Sequence, residues 1–119
     1  MQHLSVLVVG NDPNWRVSAA RVLKASGFLV FEAMDAPSAL QFLRTLRMSA
    51  VLLDGDHLAG QGSCDLLGFI AKQKPSVSLV YLTVEEPSRV PAAAMASIVR
   101  MPCDPSRLPG VLRTLCQAA

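Results

Sequence analysis

Short apolar runs recur along the chain, and between them the apolar positions return at helical spacing. Leu4–Val9, Phe28–Phe31, Ala50–Leu53, Ser78–Thr83 and Ser97–Arg100 read as five β-strands. Within VLVV, AVLL and LVYL the hydrophobicity is continuous rather than alternating, which requires cover on both faces of a sheet. The first, third and fourth strands are therefore expected at its centre. Strands alternating with helices predict an α/β fold with a doubly wound, five-stranded parallel sheet and helices on both faces, since parallel crossovers are right-handed.

Local signals place the helices. The first is predicted to begin at Asp12-Pro13, an N-cap followed by proline at the first helical position, and to end at Gly27, a residue suited to a left-handed cap. The second spans about Pro37 to Arg47, with Leu40, Phe42 and Leu43 on its buried side. A third runs from about Ser63 to Gln73 and buries Leu66, Phe69 and Ile70. Between Glu86 and Ala96 two prolines, Pro87 and Pro91, leave the fourth helix short or absent. The last starts near Asp104-Pro105 and packs Leu108, Leu112 and Leu115, with Pro109-Gly110 delaying or kinking its start. No repeat or linker interrupts this order, so residues 1–119 read as one domain.

Composition narrows the class. A chain of 119 residues with 51% hydrophobic and 17% charged residues is long enough for its own core without disulfides or a structural metal, and too apolar for a disordered tail. The net charge of +2 is small and the basic residues are scattered, so no nucleic-acid partner is expected. Cys64, Cys103 and Cys116 form no C-x-x-C pair, a usage that fits a reducing cytoplasm. The N-terminus lacks a basic signal region. The charge-free stretch Val90–Val99 contains Pro91 and falls short of the ~20 residues of a membrane helix, so no membrane contact is expected.

In such a sheet the binding crevice lies beyond the carboxyl ends of the strands. Asp12, Asp35, Asp54, Asp56, Glu85, Glu86 and Asp104 all follow strands, whereas Arg16, Arg21, Lys24, Arg44, Arg47, Lys72 and Lys74 fall on helices. An acidic crevice on an otherwise basic surface is predicted.

The segments VLVVGNDPNWR, AVLLDGD, LVYLT and IVRMP, in this order and spacing, resemble the receiver domain of bacterial two-component response regulators of the chemotaxis-regulator type. The resemblance covers essentially the whole chain and implies a flavodoxin-like receiver fold. It also implies a signalling module rather than an enzyme, in which the aspartate ending the third strand, here Asp54, accepts a phosphoryl group from a histidine kinase. Thr83 matches the switch hydroxyl ending the fourth strand. Three features depart. The acidic pair that holds magnesium falls on Gly10 and Asn11, the lysine that pairs with the phosphoryl group on Met101 before Pro102, and the aromatic switch residue on Ile98. The loop after Asp54 also lacks the family's proline, while Arg16 stands where many members carry arginine.

The departures have a physical meaning. Transfer of a phosphoryl group to a carboxylate brings anions together, and catalysis rests on neutralising that charge. Asn11, Asp12, Asp54 and Asp56 offer oxygens for a weak magnesium site, but Gly10 offers no side chain. Met101 cannot replace an ammonium, and losing one such partner costs on the order of a hundredfold in rate. Slow phosphorylation with a degraded readout is expected, with a histidine kinase or an output domain as protein partner. The alternative is a pseudo-receiver that acts by protein contact alone. For that reading the altered face carrying Val90 and Met95 would form a homodimer or dock on a partner.

Other readings of single residues stand beside these. Asp12 is either an N-cap or a cation ligand. Trp15, the only tryptophan, shields the crevice, binds a partner or is partly buried against the fold. Met101 fits an apolar plug and Cys103 an unreactive loop thiol. His57 and Gly60 give the H-x-x-G of cobalamin-binding loops, but Gly55 stands where that motif needs aspartate. GNDPNW is no phosphate-cradling loop of the flavodoxin kind.

Overall fold

The apolar runs form strands of one fully parallel sheet. The computed structural model describes residues 4–54, 66, 68–70, 72, 77–83, 98–100 and 107–117. In chain order they form β1 (Ser5–Val9), α1 (Pro13–Ala25), β2 (Leu29–Ala33), α2 (Ala36–Thr45), β3 (Ala50–Asp54), β4 (Ser78–Thr83), β5 (Ile98–Arg100) and α3 (Leu108–Gln117). Leu66, Gly68, Phe69, Ile70 and Lys72 are also helical. The strand order is β2-β1-β3-β4-β5. This puts β1, β3 and β4 inside the sheet, as their continuous hydrophobicity requires.

Alternation along the strands divides the core into two layers. Leu7, Val9, Val51 and Leu53 face a layer with Ala36 and Ala39 of α2 and the helical Leu66 and Ile70. Val6, Val8, Ala50 and Leu52 face the other layer, with Ala19 and Leu23 of α1 and Leu108 and Leu112 of α3. Each of these strand side chains is at most 1% exposed. Because both faces are sealed, the termini of the strands are where chemistry can occur.

The element ends follow from capping. Asp12 caps α1, its carboxylate accepting from the Asn14 amide at 3.0 Å, and Pro13 occupies the first turn, where no N–H is needed. At the other end Gly27 adopts φ +94, its amide bonds the Lys24 carbonyl, and the Phe28 amide bonds the Leu23 carbonyl. That is the paired closure of a left-handed helix cap, completed by packing of Phe28 in the same core layer as Leu23. Phe28 thus belongs to the cap, and β2 starts one residue later than its hydrophobicity suggested. The strand also runs on through Glu32 and Ala33, pairing with Val8 and Val9.

One helix buries a different side from the one expected, and the last starts late, as its Pro109-Gly110 pair implied. In α2 the fully buried residues are Ala36 and Ala39, while Leu40, Phe42 and Leu43 are only partly buried against the core. The small residues let the helix lie close to the sheet, and the large ones spread along its flank, where Phe42 meets Phe31 of the edge strand at 5.9 Å between ring centroids. In α3 the helix includes Pro109 and Gly110 and starts at Leu108, so the proline is tolerated in the first turn, where its missing N–H is not required. Arg113 fastens this helix to α1 by donating to the Ser26 carbonyl and lying over the Phe28 ring, 5.3 Å from its centroid.

The segment 86–96 predicted as a short or absent fourth helix lies outside the described residues, as do Val90 and Met95. So do Asp56, His57, Gly60, Cys64, Glu85, Glu86, Met101, Cys103 and Asp104.

Candidate functional site

The strand order reverses direction between β1 and β3, the switch point at which open parallel sheets bind ligands in a crevice outside the carboxyl ends of the strands. Val9 pairs with Leu53, so the next residue on each strand, Gly10 and Asp54, meets its counterpart at the mouth of that crevice. Asp54 shares the parity of Ala50 and Leu52, and its side chain therefore emerges on the α1 face. It is 2% exposed and is the buried charged residue of the described core.

Gly10 is held from several directions. Its amide donates to the Ala33 carbonyl at 3.0 Å, prolonging the pairing of β1 with β2. Its carbonyl accepts from Arg16 Nη1 at 2.9 Å, and Arg16 Nε donates to Glu32 Oε1 at 3.2 Å. Over its α-carbon lies the indole of Trp15. A Cβ placed on Gly10 would stand 2.9 Å from Trp15 Cζ3, 3.1 Å from Cε3 and 3.4 Å from Asp54 Cβ. The ring thus occupies the side-chain space of position 10, next to Asp54, and packs against the α1-side core.

The predicted site residues fare differently. Gly10 and Asp54 are brought together, with Trp15 beside them. Asp12 spends its carboxylate on capping α1, and Asn11 is exposed. Thr83 ends β4 opposite Arg100, one residue past the Leu82 that pairs with Asp54, and Ile98 pairs with Tyr81. The side chains of Thr83 and Ile98, like Asp56 and Met101 entirely, lie outside the described set. Among the described residues no three His, Cys, Asp or Glu side chains are grouped to hold a metal ion. Where a second crevice carboxylate would stand to hold magnesium there is a glycine under an aromatic ring, so the described residues do not fit that cation. On the same end of the sheet Asp35 caps α2, and the Ser38 amide and hydroxyl hold its carboxyl below the ordinary 3.8.

No family model matches the sequence, and no curated protein matches it. Solved structures do match, over nearly the whole chain. The chemotaxis response regulator CheY4 of Vibrio cholerae superposes with a TM-score of 0.82 at 21% identity, covering 96% of this chain and 99% of that one. A CheY-like receiver domain protein from Methanospirillum hungatei gives 0.82 at 18% identity, covering 98% and 96%. The signal receiver domain of an HD domain-containing protein from Pseudomonas fluorescens gives 0.82 at 21%, covering 98% and 97%.

This chain has the receiver fold.

Within the receiver fold Asp54 stands at the end of the middle strand, as the sequence resemblance implied. Sequence reasoning left the role of Trp15 open and missed Glu32 as the partner of Arg16. An acid on the strand after a helix that carries an arginine near its start is the signal that could have found it. Among the described residues no helix is long and apolar enough to cross a membrane.

Proposed function

We propose that the chain is a non-enzymatic receiver module of two-component phosphorelay signalling, with Asp54 as phosphoacceptor. The observation that carries this reading is the position of Asp54, a buried carboxylate at the carboxyl end of the central strand and at the switch point of a receiver fold. In the reaction a carboxylate oxygen of Asp54 attacks the phosphorus of a phosphohistidine on a partner kinase. The new P–O bond gives an aspartyl phosphate, the P–N bond breaks, and its electron pair stays on the imidazole. Thr83, ending the next strand, is the residue to which the receiver resemblance gives the role of reporting the change.

The crevice lacks much of the charge this transfer uses. Gly10 and Asn11 supply no carboxylate to recruit magnesium, so cation binding is weak, and Met101 supplies no ammonium. Transfer is accordingly slow. The module works in the cytoplasm through a protein partner, a histidine kinase or an output domain; on the alternative, phosphorylation-independent reading the stretch holding Val90 and Met95 is the contact face.

Incubation with a small phosphodonor and magnesium, read by intact mass, tests this. Slow gain of one phosphoryl group, absent in Asp54→Ala, supports the reading. Prolonged incubation without any gain, or a gain that survives Asp54→Ala, overturns it and leaves a phosphorylation-independent interaction module.

A further inference from the structure

The indole on Gly10 has a role that neither the fold nor the sequence resemblance supplies. We infer that Trp15 is a lid on Asp54: seated on Gly10, its ring occupies the space through which a hydrated cation or a phosphodonor would reach the carboxylate, and the crevice opens when the ring leaves.

Three independent features meet here. The first is shape. At 2.9 Å one ring atom is closer to the Gly10 side-chain position than real Cβ contacts come, and a second at 3.1 Å is tight, so the ring in this position requires glycine at 10. The second is parity. Asp54, the empty side-chain position of Gly10 and Trp15 all lie on the α1 face, so the ring stands on the side from which Asp54 projects. The third is accessibility. Asp54 is 2% exposed, although a phosphoacceptor must present an oxygen to a donor, whereas Trp15 itself is only partly buried.

The position of Trp15 also gives the ring somewhere to go. It stands in the first turn of α1, only partly buried and flanked by exposed Asn11, Pro13 and Asn14, so the opening we infer is a rotation about its side-chain torsions toward solvent. The helix itself is fixed at that turn by the Asp12 cap and by Arg16 on the Gly10 carbonyl. A rigid turn with one half-buried aromatic is a hinge confined to a side chain.

Electrostatics favours the same arrangement. Several carboxylates in one crevice repel one another and need a cation to coexist. With Gly10 in place of an acid, Asp54 faces fewer like charges, and an uncharged ring can take the cation's place. Glycine at position 10 and indole at position 15 thus put apolar volume beside Asp54 where the receiver resemblance implies charge.

The lid is tested on the full chain by the rate at which a water-soluble carbodiimide and a small amine modify Asp54, followed by peptide mass, with exposed Asp35 as internal reference. Trp15→Ala is expected to speed modification of Asp54 at least tenfold and leave Asp35 unchanged. Equal Asp54 rates in two folded proteins overturn the lid. Should Trp15→Ala not melt cooperatively, Gly10→Ala serves instead. Its Cβ displaces the ring, so tryptophan emission should shift to the red, acrylamide quenching rise and Asp54 modification accelerate; a displaced ring with an unchanged rate overturns the lid. The inference shares Asp54 with the proposed function, and a phosphodonor arm separates the two. Faster carbodiimide modification without phosphoryl uptake keeps the lid and removes the phosphoacceptor. Phosphoryl uptake as fast in the wild type as in Trp15→Ala does the reverse.

Discussion

Arg16 binds the carbonyl of Gly10 at 2.9 Å while its Nε holds Glu32, so one guanidinium ties the end of β1, the start of α1 and the edge strand β2 together. A planar fork with several donors can serve two acceptors at once, which an ammonium at the same place cannot do in the same geometry. Arg16→Ala is expected to cost roughly 1–2 kcal/mol, because it leaves a partly buried carbonyl unserved. Glu32→Gln should cost less than about 1 kcal/mol, since that ion pair is partly exposed to solvent. Urea denaturation of both variants checks the order; equal losses would show that the ion pair, not the carbonyl bond, dominates.

The Asp12 cap separates its two sequence readings. Asp12→Ala should lower stability by about 1 kcal/mol, and Asp12→Asn, which retains a capping oxygen, by much less. Neither substitution should alter the response of the melting temperature to added magnesium. A magnesium response that disappears in Asp12→Asn would make the residue a ligand after all.

Asp35 predicts a pH dependence. Its bonds to Ser38 hold the folded pKa below the ordinary 3.8. A depressed folded pKa contributes stability that is fully present above the unfolded value and is lost as pH falls through the folded one. Wild type should therefore exceed Asp35→Asn in stability by the largest margin near neutral pH, and the margin should shrink below the folded pKa. Melting temperatures of the pair between neutral and strongly acid pH provide the check, and a margin that grows on acidification would reverse the sign.

Restoring an acid at position 10 is expected to fail by itself. Gly10→Asp drives its Cβ to within 2.9 Å of the indole and also sets a second carboxylate beside Asp54. The single variant should be destabilised, and Trp15→Ala should relieve most of that loss, giving a coupling of roughly 1–3 kcal/mol in a double-mutant cycle. Additive effects would mean that ring and side chain do not compete. Faster phosphoryl transfer in the combined variant Gly10→Asp, Asn11→Asp and Met101→Lys is therefore expected only when Trp15 is replaced as well.

Much of this protein was legible in order along the chain. Runs such as VLVV and AVLL are buried on both faces, and that local property was enough to call a parallel sheet and to pick β1, β3 and β4 as internal. Asp12-Pro13 marked the start of α1 and Gly27 its end, because capping is settled within a few residues. The placement of Asp54 at the end of β3 followed from the same run of apolar residues. Phe28 was misassigned because its hydrophobicity serves a helix cap as well as a strand, and only the packing of α1 against the sheet distinguishes the two. In α2 the large apolar residues seemed the obvious buried face, yet closeness to the sheet selected Ala36 and Ala39. The crevice shows the same limit. Gly10, Trp15 and Asp54 are each visible in the sequence, but whether an indole from α1 covers a carboxylate from β3 depends on strand register and side-chain parity, which bring together residues far apart in the chain. Sequence by itself determined that positions 10, 11 and 101 carry no charge. Tertiary packing decided what stands in their place, because an empty position beside a glycine is filled by whichever neighbour has the right volume.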